Sequence, residues 1–205
     1  MLLHFSFFWT LLNLFNQASA PAMAPPGTVA YRQHLFIDSE VVPIGEWWGF
    51  LYTIKRDSSA AFYQSMIPDT SKMVNGKNYF NHPAFSRKPL TGITYRQAQA
   101  FCKWRSNVVS ENIAHPEKVC KSGQKYYSKQ NKAYKITFRL PEPEELKTVA
   151  GKPKKVKTSP SFLELTNNEA ILISKPFQQD AASIPANGKA AIGQTFRCIA
   201  YYEKR

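Results

Sequence analysis

Cysteine is scarce in this chain, with three in 205 residues, and an odd count allows at most one internal pair. None lies near the small-residue stretch after the amino-terminal apolar run, which excludes a lipid-modified cysteine there. Acidic side chains are also few: 14 Asp and Glu stand against 27 Lys and Arg, for a formal charge of +13. Histidine occurs only as His4, His34, His82 and His115, with no pair at i, i+4. That excludes a helix-borne histidine metal pair and leaves each as a surface or loop-stabilising residue. No Ser/His/Asp spacing points to a nucleophilic triad. There is no βαβ rhythm and no internal repeat, so a parallel doubly wound sheet is excluded.

The first apolar run, "LLHFSFFWTLLNLF", is short for a membrane span, and no Lys or Arg precedes it. The small residues of "NQASAPAMAPPG" follow it, and cleavage after Ala22 would place Ala20 and Ala22 where a signal peptidase requires small side chains. The pattern predicts a signal peptide over 1–22, an extended Pro/Ala-rich leader over 23–33 and a folded domain over 34–205. An uncleaved anchor is the rival reading. Export implies a secreted, periplasmic or cell-envelope location and an oxidising compartment, so Cys102, Cys120 and Cys198 are all disulfide candidates.

Much of the positive charge falls between Lys118 and Lys157, where lysines interleave with Tyr126, Tyr127 and Tyr134. Lys125, Lys129, Lys132, Lys154 and Lys155 are candidates for a surface that meets an anionic polymer. The plainer reading is a solvated loop that keeps the protein soluble. Lysines without a spaced base-reading motif, on an exported chain, argue against nucleic acid.

Apolar spacing predicts a helix from about Gly45 with Trp47, Phe50, Leu51 and Ile54 on one face, and core packing for Trp47 and Trp48. A second helix begins at a Thr94 cap, with Ala98, Phe101, Cys102 and Arg105 or Val109 along one stripe. "NGKNYFNHPAFSRKPLTG" and the region around Gly123 read as loops, "YKITFRL" as a strand, and "QTFRCIAYYE" as a terminal strand. "SFLELTNNEAILIS" reads as two strands about an Asn167-Asn168 turn. In "RLPEPEELKTVAG", Pro143 suits a first helical turn, and Glu142, Glu144 and Glu145 complement the positive helix end. These carboxylates are read as structural. Short strands and two or three helices with much irregular chain give an α+β fold.

The order of "SEVVPIGEWWGF", "PLTGITYRQAQAFCKW", "FRLPEPEELKTVAG", "LELTNNEAIL" and "TFRCIA" resembles the formylglycine-generating-enzyme, or sulfatase-modifying-factor, domain family. Ile93-Thr94-Tyr95, Ala98, Phe101-Cys102 and Trp104 match its helix block. Arg139-Leu140-Pro141 and Phe196-Arg197-Cys198 match later blocks. The closest style is the gliding-motility and type IX secretion branch of Bacteroidota. The resemblance implies a C-type-lectin-like fold and a disulfide between Cys102 and Cys198, leaving Cys120 as the odd thiol. Such a bridge would contribute roughly 4–5 kcal/mol in the chain-entropy model.

Active members of that family use a copper-binding cysteine pair shortly before the closing strand. Here that stretch, "SKPFQQDAASIPANGKAAIGQ", holds no Cys, His or Met, and hydroxyls and amides do not replace thiolates for cuprous ion. Ala170-Ile171-Leu172 stand where the family has Trp-Glu-Trp, and Thr195 where it has glycine. The expectation is therefore a non-catalytic domain with no cofactor, binding a protein partner in an envelope assembly and with no membrane span after signal cleavage. Two alternatives remain: an oxidase with a relocated site, and a lectin-like module for glycan or polyanion. For the latter, Glu164, Asn167, Asn168 and Glu169 are calcium candidates, against the plainer reading of an Asn-Asn turn with ordinary flanking carboxylates.

Overall fold

The computed structural model describes residues 23–32, 34–73, 77–150, 163–165, 170–173, 179–180 and 194–205. The predicted signal peptide, Lys154, Lys155, Asn167, Asn168 and Glu169 lie outside these residues. The architecture is α+β. Strand β1 (Thr28–Arg32) forms a hairpin with β2 (Leu35–Asp38), with a register shift between Ala30 and Arg32 and His34 at φ 64° in the connection. The main sheet runs β1-β2-β8-β3, with β8 (Ile199–Lys204) inside and β3 (Tyr134–Arg139) at the edge, all antiparallel. A second sheet, β6-β5-β4-β7, comprises β4 (Leu163–Leu165), β5 (Ala170–Ile173), β6 (Gln179–Asp180) and β7 (Gln194–Phe196). Within it β4 and β7 are parallel.

Two helices carry the core. In α1 (Ile44–Asp57) the predicted stripe of Trp47, Phe50, Leu51 and Ile54 is buried. Helix α4 (Tyr95–Ala114) follows the short α2 (Ala60–Ser65) and α3 (Lys77–Asn81), and begins at a full capping box. There Thr94 Oγ1 accepts from Gln97 N, and Gln97 Oε1 accepts from Thr94 N, satisfying two amides of the opening turn. Ala98, Phe101, Cys102, Arg105, Val109 and Ile113 face inward, so the helical period sets the buried side. Trp47 lies at the centre, stacked on Phe101 at 5.5 Å and edge-on to Phe50 at 5.0 Å and Phe196 at 6.2 Å. Trp48 is half-buried and donates Nε1 to Phe80 O.

Edge strand β3 would leave alternate N–H and C=O groups open to another strand. Helix α4 covers them with two serines one turn apart. Ser110 Oγ accepts from Ile136 N at 2.9 Å and reaches Ile136 O at 3.1 Å. Ser106 Oγ accepts from Phe138 N at 2.7 Å and lies within donor range of Phe138 O and Cys102 O. The four-residue step along the helix closely matches the two-residue step along the strand, about 6 Å against about 6.7 Å.

The structure differs from the sequence expectation in several places: six α-helices form among the described residues rather than two or three, and the stretch read as a loop after Asn75 holds α3 and a 3-10 turn over Pro83–Phe85. The leader is built into the fold: Met23 O accepts from Tyr202 Oη, Ala24 O from Tyr126 Oη, and β1 pairs with β2. The region around Gly123 forms α5 (Lys121–Tyr127), with Val119 just before the helix and Tyr127 at its end packed around that glycine. The terminal strand is broken at Arg197-Cys198, so β7 and β8 belong to different sheets. The last helix, α6 (Pro143–Ala150), starts where Pro143 predicts.

Replacing Ser106 and Ser110 by alanine strands the β3 amides. Each change is expected to cost about 1–3 kcal/mol in denaturant unfolding, with hydrogen exchange accelerated at Ile136 and Phe138 above the rest of the sheet.

Candidate functional site

The break between β7 and β8 brings the resemblance-implied cysteines together. Cys102 Sγ on α4 and Cys198 Sγ lie 3.0 Å apart across 96 residues of chain, and both are buried. They stand as free thiols, since a covalent bridge is about 2.05 Å long. Burial pushes the Cys198 thiol well above its ordinary pKa, and Cys102 adds to the rise. A thiol held protonated in this way is a poor nucleophile and a poor metal ligand.

Beside the thiols lies a feature that the sequence reading missed. Asp38, at the end of β2, receives Arg105 Nη1 at 2.9 Å and Cys198 N at 2.7 Å on the same oxygen, Oδ2. Its own N–H donates to Cys198 O at 3.0 Å, and its carbonyl accepts from Arg197 Nη1 at 3.3 Å. Arg105 completes the tie by donating Nη2 to Pro26 O and lying over the Phe138 ring at 4.4 Å. Gly27 stands next to it at φ 77°, and a Cβ there would sit 3.1 Å from Arg105 Nη2. Only glycine tolerates both that backbone and that approach. Burial opposes the charge on Arg105, but Asp38, Cys198 and Glu46 together raise its pKa, so it remains a cation.

Two adjoining cavities, about 140 and 240 Å³, share Gly27, Glu46 and Arg105 in their walls. Glu46, in the first turn of α1, is exposed by area yet crowded enough that desolvation raises its pKa. Arg105 pulls it down and Asp38 pushes it further up. Solvent reaching the carboxylate limits how large that shift becomes.

The acidic cluster of the last helix has a local role. Glu145 takes Arg139 Nη1 and Nη2 at 2.7 and 2.8 Å, and Glu142 N at 2.7 Å. Burial raises the Glu145 pKa, but these hydrogen bonds and the nearby charges outweigh it, so the net displacement is downward.

The remaining candidates are dispersed. Lys125, Lys129 and Lys132 are exposed, while the interleaved tyrosines turn inward. Tyr126 holds the leader, and Tyr134 packs edge-on to Tyr202, so no aromatic stacking platform accompanies the lysines. Cys120 is exposed before α5, its pKa lowered by the Ser122 hydroxyl at 3.2 Å. His82 Nδ1 caps a short 3-10 turn through Ala84 N, and His115 closes α4 beside Glu111 and Glu117. Glu164 lies in β4. Among the described residues no three His, Cys, Asp or Glu side chains gather as a metal cage.

Removing one partner of the buried pair, as in Asp38→Asn, is expected to cost roughly 3–5 kcal/mol by leaving Arg105 uncompensated. Adding Arg105→Met should recover part of that loss in a double-mutant cycle followed by denaturant unfolding. The two glutamates predict opposite pH behaviour. Glu145, with its folded pKa depressed, adds stability above the unfolded value that is lost as pH falls through the folded one. Glu46, with its folded pKa raised, costs stability that accumulates as pH climbs from the ordinary value of 4.5. Thermal melts across pH should therefore show Glu145→Gln less stable at neutrality with a flatter acid limb. Glu46→Gln should be more stable at neutrality and unchanged at the acid end. Comparison with family models, with curated proteins and with solved structures found no match.

Proposed function

We propose that this chain is an exported, non-catalytic domain of formylglycine-generating-enzyme style that acts as a binding or structural component of a cell-envelope assembly, of the gliding or type IX secretion kind. The observation that supports this reading is the 3.0 Å approach of Cys102 on the long helix to Cys198 in the closing segment, the two positions that the resemblance links. Both sulfurs are buried, so they suit a cross-link better than an oxidase site open to a substrate. The exposed lysines Lys125, Lys129 and Lys132 give an anionic partner surface a place to meet the domain. No helix among the described residues is long and apolar enough to cross a membrane.

In an oxidising compartment the two thiols would become a disulfide during folding, before the core closes over them. Two protons and two electrons would pass to the disulfide of an oxidising partner. Protein collected after export is expected to show one reactive thiol per chain under denaturing, non-reducing conditions, and Cys120→Ser is expected to abolish it. Three thiols would overturn the cross-linked reading. Stoichiometric Cu(I) binding, or oxidation of a Cys-x-Pro-x-Arg peptide, would overturn the non-catalytic one.

A further inference from the structure

The described part of the protein gathers carboxylates in one place against its general positive charge. Asp38, Glu40 and Glu46 line the smaller of the two adjoining cavities, with Arg105 as the sole cation in that wall. The Asp38 side chain is only 5 % exposed. Its Oδ2 is occupied by Arg105 and Cys198, whereas Oδ1 has no hydrogen-bond partner. An unpaired buried carboxylate oxygen is costly, and its natural complement is a cationic donor. The larger cavity continues past Glu46 and Arg105 to an apolar wall of Trp104, Val108 and Val109. The Trp104 ring lines that wall, and its indole Nε1 is buried without an acceptor.

We propose that these joined cavities bind a primary ammonium carried on a short aliphatic stem. The ammonium donates to the Glu46 carboxylate and is drawn by the negative charge of the buried Asp38 behind it, the stem lies against Val108 and Val109, and the Trp104 ring borders it. A bare divalent ion fits less well, because these carboxylates line the wall without converging as a metal cage and a guanidinium stands among them. A guanidinium ligand is wider than an ammonium and would have to stand beside Arg105. The site does not depend on the family resemblance, so it stands or falls apart from the envelope-component reading. A lysine side chain presented by a partner and a free alkylamine share this chemistry.

The test uses the full chain with n-butylammonium, 1-butanol and Nα-acetyl-lysine methylamide. Binding is followed by calorimetry and by the Trp104 indole N–H resonance. Butylammonium is expected to bind saturably, with a dissociation constant on the order of 1 mM for so small a ligand, and to shift the Trp104 signal. Glu46→Gln, at an exposed position, should fold normally and weaken binding about tenfold. Val108→Lys should block the site with its own ammonium. Tighter binding of the lysine amide assigns the site to a protein partner, and binding of butylammonium alone assigns it to a free amine. Butanol binding as well as butylammonium, undiminished affinity in Glu46→Gln, or no saturable binding of either amine would overturn the proposal.

Discussion

The carboxylate of Asp38 is the point through which the separate parts of this protein are joined. One oxygen holds Arg105 of the long helix and the amide of Cys198 in the link between the two sheets. Its backbone exchanges further bonds with Cys198 and Arg197. Arg105 in turn reaches the leader at Pro26. A buried ion pair earns little net stability against a well-packed apolar substitute, because both charges lose their water. Its contribution here is geometric. It fixes β2, α4, the leader and the chain crossing in one arrangement, and loss of either charge would leave the other stranded.

That constraint explains the break in the closing strand. Ile199 to Tyr201 pair on both sides in the main sheet, while Gln194 to Phe196 pair with β4 in the other. The chain changes sheets at Arg197-Cys198, where ladder bonds lapse. Asp38 takes up the Cys198 amide that the lapse would orphan. The same crossing carries Cys198 inward against Cys102, so the thiol contact follows from the way the sheets are joined.

Much of the fold was legible because it is local. The Trp47–Ile54 stripe and the Thr94 cap depend on period and on neighbours a few residues apart, and both form as the sequence pattern says, while the reciprocal bond from Gln97 is added by the structure. The Cys102–Cys198 proximity was legible only through the family resemblance, since three cysteines alone leave every pairing open. What escaped was non-local. Nothing in "LFIDSE" marks Asp38 as buried, and Arg105 shares a stripe with apolar residues only because a carboxylate from a distant strand awaits it. The break at Arg197-Cys198 was hidden because Thr195 to Tyr201 reads as one continuous strand with no Gly, Pro, Asn or Asp to mark a turn. Helix α5 was missed because its lysines and Gly123 carry turn-like composition, whereas Tyr126 and Tyr127 pack inward.

Glu46 shows how the cavity and the fold differ in what they require. It occupies the first turn of α1, where the positive end of a helix favours a carboxylate, and Arg105 lines the same cavity. Desolvation and the charge of Asp38 nevertheless raise its pKa, so ionised Glu46 opposes the folded state at neutral pH. A glutamine would hold the same volume without that cost. On a chain of charge +13, an anionic cavity is also the opposite of what general solvation would produce. Both features become favourable once a cation enters, because its charge offsets the repulsion between Asp38 and Glu46. The electrostatic cost at Glu46 is thus of the sign that a bound cation would offset.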